Sequence, residues 1–192
     1  MEFILRLLGV RIKRVIPRPS ILFIKGKNIS KSELMGVEIG VYGGENVKSI
    51  LKILPIKKIY LIDPYEKYEN YKEDALNNVE QKAHKKLIKY KEKIIWIKKR
   101  SIDALKDIPN ELDFVYIDGN HSYNFVKKDM KEYYKKLKIG GVLAGHDIEN
   151  GIELNDGVTR AFVEFVSENH LKPYILYPDW WIVKGEKIIN KK

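Results

Sequence analysis

The sequence predicts an α/β domain built on a mostly parallel sheet, and three observations carry that reading. Short apolar runs that end at glycine or polar residues alternate with helical stretches, the pattern of a parallel sheet covered on both faces. The first run leads into a glycine-rich turn, Glu38-Ile39-Gly40-Val41-Tyr42-Gly43-Gly44, and the second, Ile59-Tyr60-Leu61-Ile62, ends in Asp63. Glycine lets backbone approach a ligand closely, and a carboxylate at the tip of the second strand is where α/β nucleotide folds hold a ribose diol. The last two runs, Tyr174-Ile175-Leu176-Tyr177 and Trp180-Trp181-Ile182-Val183, are close enough to read as a hairpin. The expected architecture is a Rossmann-like, doubly wound, mostly parallel seven-stranded sheet with a C-terminal antiparallel β-hairpin.

Each element follows in order. Residues 3–16 alternate apolar and basic side chains at near-helical spacing, and Pro17-Arg18-Pro19 stops that helix. This basic amphipathic helix reads equally as an interfacial membrane helix, a helix packed on the domain or a dimer contact. Residues 20–35 read as a lead-in, with a helix start at 28–32, so the division is 1–33 and 34–192. Strands are expected at 36–41, 58–62, 94–97, up to Asp118, and at 141–144. Between them lie a helix over 45–54, with Val47, Ile50, Leu51 and Leu54 on one face and Pro55 as its stop, and a long polar helix over 68–90. A helix over 123–137, a polar loop over 148–156 and a helix over 157–169 complete the alternation, with Ala161, Phe162 and Phe165 facing inward. Trp180 and Trp181 read as one core and one surface residue, with sugar stacking as the alternative. His84 and His170 read as surface or packing residues.

Composition narrows the class. A chain of 192 residues with 44% hydrophobic and 32% charged residues suits one globular domain with a full core. The absence of cysteine excludes disulfides, thiolate metal sites and cysteine nucleophiles, and agrees with a cytoplasmic location, at the inner membrane surface if the N-terminal helix binds lipid. The net charge of +10 is spread along helical faces such as Lys127-Lys128, Lys131 and Lys135-Lys136, the pattern of solvated surfaces. No run reaches the roughly 20 apolar residues of a membrane span, and no small-residue cleavage site marks a signal peptide.

Four segments in this order carry a family resemblance: Val37-Glu38-Ile39-Gly40-Val41-Tyr42 with Gly44, then Ile62-Asp63-Pro64, then Tyr116-Ile117-Asp118-Gly119-Asn120-His121-Ser122-Tyr123, then Lys138-Ile139-Gly140-Gly141 with Gly145-His146-Asp147. Over about residues 34–185 the chain resembles class I S-adenosylmethionine-dependent methyltransferases, closest to the small O-methyltransferases that act on sugars of macrolides, antibiotics and surface glycans. The resemblance implies S-adenosylmethionine as cofactor. Glu38, Gly40 and Gly44 would line its methionine and ribose part, with Tyr42 where the usual pattern has its middle glycine. Asp63 would bind the ribose hydroxyls, Ser101 and Ile102 would border the adenine, and Asp118 would sit near the transferable methyl. A nicotinamide-dependent reductase needs Gly-x-Gly-x-x-Gly, and Tyr42 and Glu45 break that pattern.

A sugar hydroxyl is a poor nucleophile at neutral pH, and two devices could activate it. Asp118 and Asp147 end neighbouring strands and could share a cation with a substrate diol, as in the metal-dependent members the chain resembles. All-oxygen ligation favours Mg²⁺. Ile148 follows Asp147, so the third protein ligand stays open among Glu149, Asn150 and His146. His121, at the expected start of a helix, suits a general base, because a helix N-terminus disfavours imidazolium. The expectation is an O-methyltransferase for a sugar, glycan or similar polyol. Methylation of RNA or protein, suggested by the charge, and a non-catalytic membrane-surface module are the alternatives. DNA is not an expected partner and RNA is a disfavoured one; the resemblance to small methyltransferases, which often pair, makes the N-terminal helix a candidate homodimer contact.

Overall fold

The computed structural model describes residues 17–28, 30, 33–66, 73–148 and 157–188. The basic helix expected over 3–16 therefore lies outside the described residues. Seven strands, β1 (Leu34–Ile39), β2 (Ile56–Ile62), β3 (Ile94–Ile97), β4 (Leu112–Ile117), β5 (Leu137–Gly145), β6 (Leu171–Leu176) and β7 (Asp179–Lys187), form one sheet in the order β3-β2-β1-β4-β5-β7-β6. The pairs from β3 through β5 are parallel, and β7 runs antiparallel to both β5 and β6. The hairpin thus supplies a single reversed strand, inserted between β5 and the edge strand β6.

The α-helices among the described residues are α1 (Pro19–Lys27), α2 (Glu45–Ile53), α3 (Glu73–Leu87), α4 (Ser101–Ala104), α5 (Tyr123–Lys136) and α6 (Gly157–Glu168). The period-two alternation of the strands divides the core into two layers. Val37, Val115, Ile117, Leu143 and Trp180 face α4, α5 and α6. Leu61, Phe114, Tyr116, Val142 and Trp181 face α1, α2 and the end of α3. Strand β4, buried at all six positions, is the centre of the sheet.

Several expectations need correction. The lead-in contains α1, which begins where a stop was read. Pro19 occupies the first helical position, where its missing N–H costs nothing. Asn28 ends that helix rather than starting another: its backbone N–H and Nδ2 both bond to Ile24 O. Strand β1 ends at Ile39, two residues early, which leaves Gly40 and Val41 in the turn. The polar helix is shorter than 68–90, because residues 88–93 tighten into a 3₁₀ turn; residues 67–72 lie outside the described set. Both tryptophans are buried, Trp180 at 0% and Trp181 at 8% exposure. The strand β7 is interior and α1 covers its second face, so Trp181 packs between Phe23 and Tyr174 instead of meeting solvent. His84 is exposed and stacks on Trp96 at 3.9 Å between ring centroids.

Gly145, at the end of β5, exists for Trp180. A Cβ there would lie 2.3 Å from the indole ring. Trp180 also packs on Phe162 of α6, and its Nε1 donates to His146 O at 3.2 Å. Trp180→Ala is expected to destabilise the protein by about 3–5 kcal/mol, measured as a drop in the urea midpoint at unchanged slope.

Candidate active site

The strand order reverses between β1 and β4, and a cavity of about 750 Å³ opens at the carboxyl ends of the strands there. Its floor is the β1 turn. Gly40 has φ 84°, and a Cβ on it would lie 2.1 Å from the Asp118 carbonyl oxygen, so this turn and the end of β4 meet backbone to backbone. Asp63 holds the turn in place. Its Oδ2 accepts the N–H groups of Val41 at 2.9 Å and Tyr42 at 2.8 Å, and its Oδ1 accepts Tyr65 N–H at 2.9 Å. The expected ribose ligand is therefore on the wall, but already bonded to backbone through both oxygens.

Tyr42 has φ 46°, a left-handed conformation that explains the usual glycine at this position. Tyr65 compensates by donating its hydroxyl to Tyr42 O at 2.9 Å. Gly44, also expected on the wall, instead caps α2 with φ 73° and packs toward Leu87, where a Cβ would lie 3.2 Å from Cδ1. Ser101 borders the cavity; Ile102 is not among its lining residues. Asp129 of α5 stands beside Ser101, which donates its hydroxyl to Oδ1 at 2.6 Å. Sequence reading missed Asp129, which looks like one more charge on a lysine-rich helix.

Glu38 is 1% exposed, and its Oε1 accepts Asn46 Nδ2 at 3.3 Å. Burial, reinforced by the charge of Asp118, pushes its carboxyl well above the usual range. Its Oε2 is buried without a partner on the cavity wall. An unsatisfied acidic oxygen beside a glycine turn fits the ammonium of a methionine-type cofactor.

At the ends of β4 and β5, Asp118, His121 and Asp147 each present one ligand atom, all within 4.8 Å of one another. His121 Nε2 lies 3.2 Å from Asp147 Oδ2 and 4.0 Å from Asp118 Oδ1. The ring is 54% exposed on its side chain and sits just before Ser122, the N-cap of α5. Asp147 adopts φ 63°, and its Oδ1 pairs with His146 Nδ1 at 2.8 Å. His146 thus bonds to a candidate ligand, while Glu149 and Asn150 lie outside the described residues. The two carboxyls differ. Burial pushes Asp118 up to about 6, even against the charge of Arg18. Burial acts the same way on Asp147, but the hydrogen bond and charge of His146, with His121 and Arg18, outweigh it and hold that carboxyl below the usual range. Two carboxylates and one imidazole fit a divalent cation of the Mn²⁺ or Zn²⁺ kind better than the all-oxygen set expected for Mg²⁺.

Arg18 is a second functional candidate that sequence reading missed. Its Nη2 donates to Asp118 Oδ2 at 3.2 Å, and its guanidinium lies 5.5 Å from the Tyr116 ring centroid. Behind it, Asp179 is fully buried at the start of β7 and accepts the backbone N–H of Ser20 at 3.2 Å and the Ser20 hydroxyl. The only sequence signal was an arginine fixed between two prolines.

Strand order, glycine turn and strand-end carboxylates together define the Rossmann-like fold of S-adenosylmethionine-dependent methyltransferases. Residues 37–148, more than half of the chain, match the family model of a methyltransferase domain, and the chain belongs to that family. Its structure is similar to an O-methyltransferase of tomaymycin synthesis from Streptomyces achromogenes, solved with S-adenosylmethionine (TM-score 0.63, 13% identity, 94% of this chain and 86% of that one). It is also similar to an O-methyltransferase from Bacillus cereus solved with S-adenosylhomocysteine (TM-score 0.62, 14% identity, 95% and 88%). An rRNA methylase from Streptococcus thermophilus gives a TM-score of 0.60 at 16% identity, over 88% and 96% of the two chains. Identities this low show the shared fold alone. A protein of Acanthamoeba polyphaga mimivirus is 31% identical over 129 residues, 62% of this chain. The chain spans about half, 54%, of that relative's length. No helix among the described residues is long and apolar enough to cross a membrane.

Asp129 supplies a pH test of this wall. It is 3% exposed, and burial pushes its carboxyl from the ordinary 3.8 up to about 6, against the Ser101 hydrogen bond. A raised folded-state value means that the folded form holds its proton longer. Its ionisation therefore costs stability as pH rises from about 4 to 6. Asp129→Asn is expected to stabilise the protein by about 1–3 kcal/mol at pH 7.5 and to change little at pH 4, read from urea unfolding at both values.

Proposed function

We propose that the protein transfers the methyl group of S-adenosylmethionine to a hydroxyl oxygen of a polyol such as a sugar, with a divalent cation held by Asp118, His121 and Asp147. The observation that carries this reading is the cluster itself: three side chains able to ligate at adjacent strand ends, two of them lining the same cavity as the β1 glycine turn. When bound, the cofactor supplies the electrophilic methyl and the cation supplies Lewis acidity toward a diol. The chain's own residues position. Glu38 receives the ammonium, Gly40 admits the cofactor close to the backbone, and Asp63 keeps the turn rigid. Asp118 and Asp147 hold the acceptor end, and their carboxylates draw a hydroxyl into line with the methyl.

His121 carries a second reading. Its 3.2 Å contact with Asp147 is also the geometry of a general base oriented by a carboxylate. In that case Nε2–H donates to Asp147, Nδ1 takes the hydroxyl proton, and Asp147 stabilises the imidazolium. Nε2 cannot bind a cation while it donates to Asp147, so the two readings separate experimentally.

Calorimetric titration with S-adenosylhomocysteine is expected to show micromolar binding, and titration with Mn²⁺ or Mg²⁺ a separate event that Asp147→Asn removes. Methyl transfer to vicinal diols should stop on chelation and return with added cation. Transfer that survives chelation but fails in His121→Ala would assign the base role. Absence of S-adenosylhomocysteine binding would overturn the whole reading.

A further inference from the structure

Three buried side-chain atoms on this cavity's wall have no hydrogen-bond partner among the described residues: Glu38 Oε2, Asn46 Oδ1 and Arg18 Nη1. Buried polar groups in folded proteins are paired as a rule, so three orphans on the wall of one cavity point to bonds that a ligand completes. They belong together. Asn46 donates to Glu38 through Nδ2, which leaves its Oδ1 as an acceptor. Arg18 and Glu38 are electrostatically coupled. With Glu38 ionised, which an incoming ammonium favours, the set offers two acceptors next to one cationic donor. Its chemical complement is an ammonium beside a carboxylate, the zwitterionic end of an α-amino acid.

We propose that Arg18 binds the α-carboxylate of the cofactor's amino-acid end, while Glu38 and Asn46 take its ammonium. The inference rests on the S-adenosylmethionine reading above, and it assigns a specificity residue that precedes the family-matched segment 37–148. The obvious competitor is a purely structural Arg18, clamping α1 to the sheet. The bonding argues for more than a clamp. Nη2 alone serves Asp118, and Nη1 stands 3.7 Å from Asp179 Oδ1, beyond a hydrogen bond. Asp179 is already supplied by Ser20 N–H, the Ser20 hydroxyl and, at 3.4 Å, Tyr116 OH. Nη1 is thus left over on a guanidinium that is otherwise held still, with Arg18 extended between Pro17 and Pro19 (φ −63°, ψ 148°). A fixed guanidinium loses little freedom when a carboxylate arrives, and such pairs are strong charge-assisted bonds.

Ligand truncation tests this assignment by binding alone. S-adenosylhomocysteine carries the amino-acid end, 5′-methylthioadenosine lacks it, and the decarboxylated amine analogue of S-adenosylhomocysteine lacks only the carboxylate. Arg18→Gln is expected to weaken S-adenosylhomocysteine by about 10- to 100-fold and to leave 5′-methylthioadenosine within about twofold. Equal weakening of both ligands, or of neither, overturns the assignment. The decarboxylated analogue needs no variant: wild-type protein should bind it more weakly than S-adenosylhomocysteine by a similar factor, and equal affinity overturns the proposal even if Arg18→Gln fails to fold. If wild-type protein binds none of the three, the cofactor reading falls first and this inference falls with it.

Discussion

The carboxylate of Asp63 is the contact on which the site depends. A glycine turn at a strand end has many conformations open to it, and a cavity floor needs one. Asp63 removes the freedom by accepting N–H groups from both sides of the cleft, Val41 and Tyr42 on the β1 turn and Tyr65 on its own loop. Tyr65 then returns a bond to Tyr42 O, so a residue in a disfavoured left-handed conformation is held from two directions. With the turn set, Gly40 can lie against the backbone of Asp118. The β1 turn and the end of β4 consequently share one rigid seam, and the distance between them is a property of the backbone rather than of side-chain rotamers.

Around that seam the protein collects negative charge in a dry place. Glu38 and Asp179 are buried and Asp118 nearly so, and one guanidinium answers all three. Such an arrangement is costly for the empty protein, because desolvation raises the Glu38 and Asp118 carboxyls out of their normal range. Perturbed carboxyls gathered in a cleft are the mark of a site shaped for ligands rather than for stability. The partition between Asp118, pushed up, and Asp147, held down, sets two neighbouring carboxyls to different protonation behaviour within one cluster.

The fold was largely legible because strands, glycines and prolines punctuate the chain at intervals that local rules explain. Glu38, Gly40, Asp63, Asp118 and Asp147 could be placed because each stands at a strand end, and strand ends in a parallel sheet converge. Residues whose role arises from long-range contact left no local trace. Arg18 meets Asp118 a hundred positions away, and its flanking prolines suggested only a stop. One of Trp180 and Trp181 was expected at the surface because alternation assumes one wet face, whereas β7 is an inner strand with α1 on its second side and both are buried. The third member of the Asp118–Asp147 cluster was sought beside Asp147 in the chain, at His146, Glu149 or Asn150, but His121 comes from the β4 loop. Its spacing from Asp118 was visible; its approach to Asp147 depends on how two loops fold toward each other.

Trp180 and Trp181 have an optical consequence. They are neighbours in the chain, yet one is packed under α6 and the other between Phe23 and Tyr174. Their indoles therefore report on opposite layers of the molecule, while Trp96 sits beneath the imidazole of His84 near the surface. Three natural fluorophores sample three distinct environments. Replacing them in pairs leaves single emitters that can show whether the two layers loosen together or one before the other.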